Sequence, residues 1–234
     1  MLETLLFDGM RELGLDPARE GAGKLVPYLE MMLERNQSLN LTAVKDPVEA
    51  VRLHLLDSLA IFTQMDLAGK RVLDVGTGGG MPGVAIALYE PTAQVTMLDA
   101  TAKKLAFIRE ACETLNLYPD FVNLRAEEYA RTEARERYDV VTARAVAALP
   151  VLCELCLPLV RPGGVFAAYK GSMAQEELDA SRRAVRTLGG DTPQLAMYRI
   201  PGSDAERSLI LIKKVAQTPV QYPRAYAQIK KKPL

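Results

Sequence analysis

Val72-Leu73-Asp74-Val75-Gly76-Thr77-Gly78-Gly79-Gly80-Met81-Pro82-Gly83 is the stretch on which the reading of this chain turns. A short apolar run ends in an acid, passes through glycines and opens onto Val84-Ala85-Ile86-Ala87-Leu88, with proline in the first helical turn. The pattern predicts a buried parallel strand, a tight turn and a helix. Glycine tolerates φ > 0 and lets the backbone come close to a ligand. N–H groups at the helix start point into the space beyond the strand's carboxyl end, where open α/β sheets bind ligands.

Two ligand classes compete for that space. Gly78 to Gly83 satisfies G-x-G-x-x-G, which is weak evidence alone. Asp99, 21 residues past Gly78 at the end of Gln94-Val95-Thr96-Met97-Leu98, suits the ribose hydroxyls of a dinucleotide or of S-adenosylmethionine (SAM). Asp74 discriminates between them. A carboxylate two residues before the first glycine repels a pyrophosphate and suits the amine and sulfonium of SAM. SAM is the favoured reading, and a dinucleotide is the alternative.

At 234 residues the chain has room for one large core and a small appendage. Its 49% hydrophobic and 25% charged content is ordinary for a globular protein. No apolar run reaches the length of a membrane span, so no membrane partner is expected. Met1-Leu2-Glu3-Thr4 lacks a basic n-region, and three cysteines suggest a reducing compartment, so a cytoplasmic location is expected. A monomer is the default expectation, on which no residue bears. Zero formal charge argues against indiscriminate coating of nucleic acid. From Lys213 onward, however, Lys213, Lys214, Arg224, Lys230, Lys231 and Lys232 stand with no acid among them. Such a tail either contacts phosphates or is simply solvated.

Residues 1–68 read as a helical extension: Leu25, Leu29, Met32 and Leu33, then Val48, Val51, Leu55 and Leu59, fall at helical spacing. Asp46-Pro47 reads as an N-cap with proline at the first helical position. From 69 to 214 short apolar runs alternate with amphipathic segments, and 215–234 forms the basic tail. Strands are predicted at 71–75, 94–98, 120–124, 138–142, 164–169, 194–199 and 207–213, and helices at 82–89, 103–116, 148–158 and 174–187. This is an α/β doubly wound sheet of seven mostly parallel strands. The last two strands, joined through Pro201-Gly202-Ser203-Asp204, form an antiparallel edge hairpin.

Asp74-Val75-Gly76-Thr77-Gly78 within seven strands resembles the class I SAM-dependent methyltransferases, a Rossmann-like fold. Further blocks narrow the likeness: Asn36, Asn40-Leu41-Thr42-Ala43-Val44, His54-Leu55-Leu56-Asp57-Ser58-Leu59, Thr142-Ala143-Arg144-Ala145, Tyr169-Lys170-Gly171, and the tail Thr218-Pro219, Tyr222-Pro223-Arg224 and Lys231-Lys232-Pro233-Leu234. Taken in this order along essentially the whole chain, they resemble the ribosomal RNA small-subunit methyltransferase G family, also called glucose-inhibited division protein B. The resemblance implies methyl transfer from SAM to N7 of one guanine of 16S rRNA, conventionally guanine 527, in a loop of the decoding region. It also implies a partner, either 16S rRNA or the small ribosomal subunit. Gly76 and Met81 match the family's glycine-loop contacts, Ala126-Glu127 the pair beside the adenine, and Arg144 the arginine after the fourth strand. With Asp74, Thr77, Gly78 and Asp99 these make the expected cofactor set, while Arg144, Lys170, Arg224, Lys230, Lys231 and Lys232 are the expected rRNA contacts. Arg35 stands where many members have tryptophan, and Ala143 where serine is frequent.

The chemistry suits the residues. Guanine N7 carries a free lone pair and no proton, so attack on a sulfonium methyl needs no general base, only alignment. No catalytic residue is therefore assigned. The block after the fourth strand is not the (Asn/Asp)-Pro-Pro-aromatic of exocyclic amine methyltransferases, and no cysteine follows proline as pyrimidine C5 enzymes require. Cys153-Glu154-Leu155-Cys156 lies in an apolar helix with too few other ligands for zinc, so buried thiols and no metal are expected. His54, the lone histidine, reads more as packing than as a site residue, with Asp57-Ser58 as polar neighbours. Lys103-Lys104 read as solvent-facing, and Met97 as core. The rivals are a SAM enzyme for a small molecule, a non-catalytic RNA-binding module and a nicotinamide-linked dehydrogenase.

Overall fold

Arg71–Val75 (β1) and Gln94–Leu98 (β2) each carry one exposed residue followed by four buried ones, the burial of strands covered on both faces. Asp120–Val122 (β3), Tyr138–Arg144 (β4), Val160–Lys170 (β5), Gln194–Arg199 (β6) and Glu206–Lys213 (β7) complete one sheet in the order β3-β2-β1-β4-β5-β7-β6. The computed structural model describes residues 1–234. The first five strands pair in parallel, and β7 runs antiparallel between β5 and β6. The hairpin thus folds β7 inward and leaves β6, half exposed, at the edge. β5 begins before the predicted 164–169 because Val160 pairs with Tyr138 ahead of an irregularity between Tyr138 and Val140.

The helices, in chain order, are Leu2–Glu12 (α1), Leu25–Leu39 (α2), Pro47–Ala50 (α3), Asp57–Leu59 (α4), Gly83–Tyr89 (α5), Ala102–Thr114 (α6), Ala126–Tyr129 (α7), Leu149–Cys156 (α8), Ala174–Thr187 (α9) and Tyr226–Lys231 (α10). The Asp46 carboxylate caps α3, accepting from the Glu49 N–H at 2.8 Å. Between α3 and α4 the residues Val51–Leu56 form a π-helical turn, a form that concentrates at functional sites. α8 ends at Cys156 in a tighter turn, Leu157–Leu159, because Pro158 cannot continue an α-helix.

Alternate residues of the strands feed two cores. Val72, Met97, Val140, Ala167 and Tyr169 pack with α1, α2, α5 and α6 on one face, so the N-terminal helices share their core with the sheet. Leu73, Val75, Val141, Phe166 and Ala168 pack with α8, α9 and Ile229 of α10 on the other. Each buried aliphatic side chain contributes about 1.5–3 kcal/mol. Arg35, the family departure on α2, reaches α6 by a 2.9 Å ion pair with Glu110 and lies over the Phe107 ring. Met97 is fully buried core. Order along the sheet reverses between β1 and β4, and that switch point locates the site.

Candidate functional site

The turn after β1 is built by glycines that no other residue replaces freely. Gly76 sits at φ +69°, where a Cβ would lie 2.6 Å from Val146 Cγ2. Gly80, at φ +86°, would bring a Cβ to 2.2 Å from the Tyr28 hydroxyl, which itself donates to the Gly79 carbonyl at 2.9 Å. The Gly76 and Thr77 N–H groups both donate to the Leu98 carbonyl, and the Gly78 N–H donates to Asp99 Oδ2 at 3.0 Å. The glycine loop is thus tied to the end of β2.

Asp74 lies beneath this loop. It is fully buried; Oδ2 accepts from the Gly83 N–H and Oδ1 from Thr142 Oγ1, each at 3.0 Å. Burial pushes its carboxyl above the usual range, against the opposing pull of its hydrogen-bond donors. The expectation that Asp74 meets the cationic end of the ligand is corrected accordingly: it is absent from the cavity wall and holds the loop from below. The case against a pyrophosphate nevertheless gains a firmer basis. The N-terminus of α5, where a dinucleotide would rest its phosphates, is already occupied by the Asp74 carboxylate.

A cavity of about 780 Å³ opens above the switch point, within the range of small-molecule sites. Gly76, Thr77, Gly78, Met81, Asp99, Ala126, Glu127 and Arg144 line it. Asp99 spans the Gly78 and Thr101 N–H groups with its two oxygens, at 3.0 and 2.8 Å. Ala126 and Glu127 open α7, so their N–H groups have no helical acceptor and remain available to a ligand. Thr77 Oγ1 is buried beside Asp74, where its hydroxyl helps hold the Asp74 carboxyl down against the effect of burial. These donors and acceptors fit a nucleoside carrying an amino-acid chain, which is the make-up of SAM. No set of three or more His, Cys, Asp or Glu side chains is grouped to hold a metal ion.

The opposite wall is a polar cluster supplied mainly by the N-terminal extension. Arg144 Nη1 donates to Asp57 Oδ2 at 2.8 Å and to the Leu53 carbonyl at 3.1 Å, while the Tyr198 hydroxyl donates to Asp57 Oδ1 at 2.7 Å. The Arg144 side chain is only 13% exposed. Arg144 is therefore not a free surface arginine: it is paired with Asp57, which also faces Arg207 Nε at 3.7 Å. His54 also lines the cavity, with Nε2 2.7 Å from Thr42 Oγ1. Thr42 is in turn held by Asn36, whose side chain bonds both its N–H and its carbonyl at 2.9 Å. Burial, then the Arg144 charge, lower the His54 pKa to about 4. The packing role expected for His54 thus gives way to a place on the wall as a neutral imidazole.

Other expectations shift as well. Lys170 lines the cavity, but its ammonium donates to Glu177 Oε2 at 2.7 Å and to the Ala147 carbonyl at 2.8 Å. Lys104, read as solvent-facing, borders the cavity. Arg224 lies outside it and forks onto the fully buried Glu154. Lys230, Lys231 and Lys232 are exposed on or just after α10, also outside the cavity. Cys153 and Cys156 are buried, and burial raises both thiols. Asp57, Tyr198, Arg207, Arg125 and Tyr226 were not singled out as site residues from sequence. Arg125 adjoins Ala126 and bonds Glu127, whereas the others meet the site through contacts between residues distant along the chain, which leave no local pattern.

Comparison with known proteins agrees with this geometry. The family model described as rRNA small subunit methyltransferase G matches residues 22–205. Curated proteins of that name are similar along their whole length: the one from Alkaliphilus metalliredigens is 40% identical, covering 99% of this chain and 98% of its own, and the one from Bacillus subtilis is 36% identical, covering 97% and 96%. Among solved structures, a protein from Klebsiella pneumoniae shares the fold, with a TM-score of 0.57 at 19% identity over 81% of this chain and 90% of its own. Glycine loop, polar wall and sequence likeness converge, and the chain belongs to the rRNA small subunit methyltransferase G family.

Proposed function

We propose that this chain, acting in the cytoplasm as a monomer, methylates N7 of one guanine of 16S rRNA, the loop guanine at position 527. When bound, SAM supplies an electrophilic methyl group on a sulfonium. Gly76, Thr77, Gly78 and Asp99 would hold its amino-acid and ribose portions, and Ala126 and Glu127 its adenine. Met81 lines the cavity.

The observation that carries the atom assignment is the state of the acceptor wall. His54 is a weak base, its pKa lowered to about 4, and is bonded through Nε2 to Thr42; Arg144, Asp57 and Lys170 are each engaged in an ion pair; Cys153 and Cys156 are buried. None stands ready to remove a proton, which suits a nucleophile that carries its own lone pair. Holding N7 and methyl in line is the main catalytic contribution, worth about 7–11 kcal/mol of barrier. The methylated guanine is a cation. Asp57 places a carboxylate on this wall, shared between Arg144 at 2.8 Å and Arg207 at 3.7 Å. The exposed Lys230, Lys231 and Lys232 meet rRNA phosphates, giving binding a salt dependence. A target in a loop can be splayed out and read on its edges.

The test is methyl transfer from labelled SAM to small ribosomal subunits lacking their native modifications, with deproteinised rRNA and tRNA alongside. Label on a single 16S guanine, released by N7-specific strand cleavage, supports the reading. Tight SAM binding without label on any of the three refutes it.

A further inference from the structure

The far end of the chain enters the cofactor cavity. α10 presents Tyr226 to its wall beside Arg125 and Ala126. The Arg125 guanidinium carbon lies 4.7 Å from the centre of the Tyr226 ring, and its Nε donates to Glu127 Oε1 at 3.1 Å. Carboxylate, guanidinium and phenol therefore stack in sequence at the end of the cavity where Ala126 and Glu127 open α7.

A six-residue helix does not hold itself there, and the structure shows what holds it. Arg135 donates to the Thr218 and Tyr222 carbonyls at 2.7 and 2.8 Å, and Arg131 to the Pro223 carbonyl at 2.8 Å. Arg224 is forked onto Glu154 of α8 at 2.6 and 2.9 Å, and the buried Lys214 ammonium bonds Thr218 Oγ1 at 2.7 Å. Half of these grips come from Arg131 and Arg135, just past α7. The element that offers Ala126 and Glu127 to the ligand thus leads straight into the segment that clamps the tail. A merely solvated terminus requires none of these contacts, and a buried carboxylate such as Glu154 is costly unless paired.

We propose that the C-terminal segment is a structural wall of the cofactor site, with Tyr226 a binding residue that covers the purine end of SAM and Arg125 the residue that fixes its ring. This inference rests on the SAM reading of the cavity. An aromatic face suits a purine because every base presents a π-surface. Along the same segment Ile229 is buried and Lys230, Lys231 and Lys232 are exposed, so the tail combines an inner cofactor surface with an outer charged one.

The experiment measures equilibrium binding of SAM and of methylthioadenosine, which keeps the purine end and lacks the amino acid, to the full chain and to Tyr226→Phe, Tyr226→Leu and Tyr226→Ala. Tyr226→Leu retains apolar packing, so a folded protein is available even if Tyr226→Ala is unstable. We expect both ligands to weaken at least about fivefold in the leucine and alanine variants, the lower end of an aromatic–base contact, with the phenylalanine variant within about twofold of wild type. On ribosomal subunits the KM for SAM rises while kcat at saturating SAM holds. Unchanged affinity in Tyr226→Leu, with wild type binding SAM, overturns this inference alone. Absence of SAM binding by wild type overturns the cofactor reading and this inference together.

Discussion

His54 is the only histidine of the chain, so its titration is read without assignment. Burial, followed by the positive charge of Arg144, lowers its pKa from 6.5 to about 4, while Asp57 acts in the opposite direction. The folded pKa lies below the unfolded one. Between pH 4 and 6.5 the unfolded chain therefore binds the extra proton, and stability rises with pH through that window and levels off above it. The whole shift is worth about 3 kcal/mol, of which about 2 kcal/mol falls between pH 7.5 and 5, before most carboxylates titrate. The assay pairs NMR of the imidazole C–H resonances with denaturant unfolding of wild type and His54→Gln at those two pH values. The resonances should keep their neutral position down to pH 5, and wild type should lose about 2 kcal/mol more than the variant. Arg144→Gln should move the midpoint up towards the ordinary value. A wild-type midpoint at 6 or above would refute burial as the cause, and with it the neutral imidazole on the acceptor wall.

Gly76→Ala places a Cβ at φ +69° and 2.6 Å from Val146 Cγ2. It should cost about 1–2 kcal/mol in denaturant melts and weaken SAM binding, and adding Val146→Ala should relieve the clash but not the backbone strain. Arg224→Ala removes the guanidinium from the fully buried Glu154 carboxylate, leaving it only the backbone N–H of residue 224, and should cost about 3–5 kcal/mol. Glu154→Gln in the same chain keeps an acceptor for that backbone N–H and should recover most of that loss. Cys112, Cys153 and Cys156 are buried, and burial raises the Cys112 thiol to about 12. All three should resist an aromatic disulfide reagent at pH 8 until the chain is unfolded, whereas one rapid equivalent in the native protein would contradict their burial.

The fold was legible because its signals are local. Four buried residues in a row mark β1 and β2, glycine at positive φ marks the turn at Gly76, and Asp46 before Pro47 marks a helix start. Each follows from backbone sterics or side-chain burial within a few residues. The ends of elements were less legible. Val160 joins β5 through pairing with Tyr138, and only the partner strand determines that.

Charged residues show the same division more sharply. In sequence Lys170, Arg144 and Arg224 stand as expected rRNA contacts, with no partner carboxylate marked for any of them. In the fold they pair with Glu177, Asp57 and Glu154, the last two of which lie 87 and 70 residues away. A charge whose partner is distant in the chain looks unpaired in sequence, because Coulomb attraction depends on separation in space. Asp74 was noticed for its chemistry, yet only packing shows that it serves the α5 N-terminus from beneath the loop. The sequence by itself determined the sheet, the glycine loop and the family, since these rest on local conformation and on blocks in order. Tertiary structure alone decided that His54 faces the cavity as a neutral ring and that Tyr226 lines the same cavity, because burial and long-range contact exist only once the chain has folded.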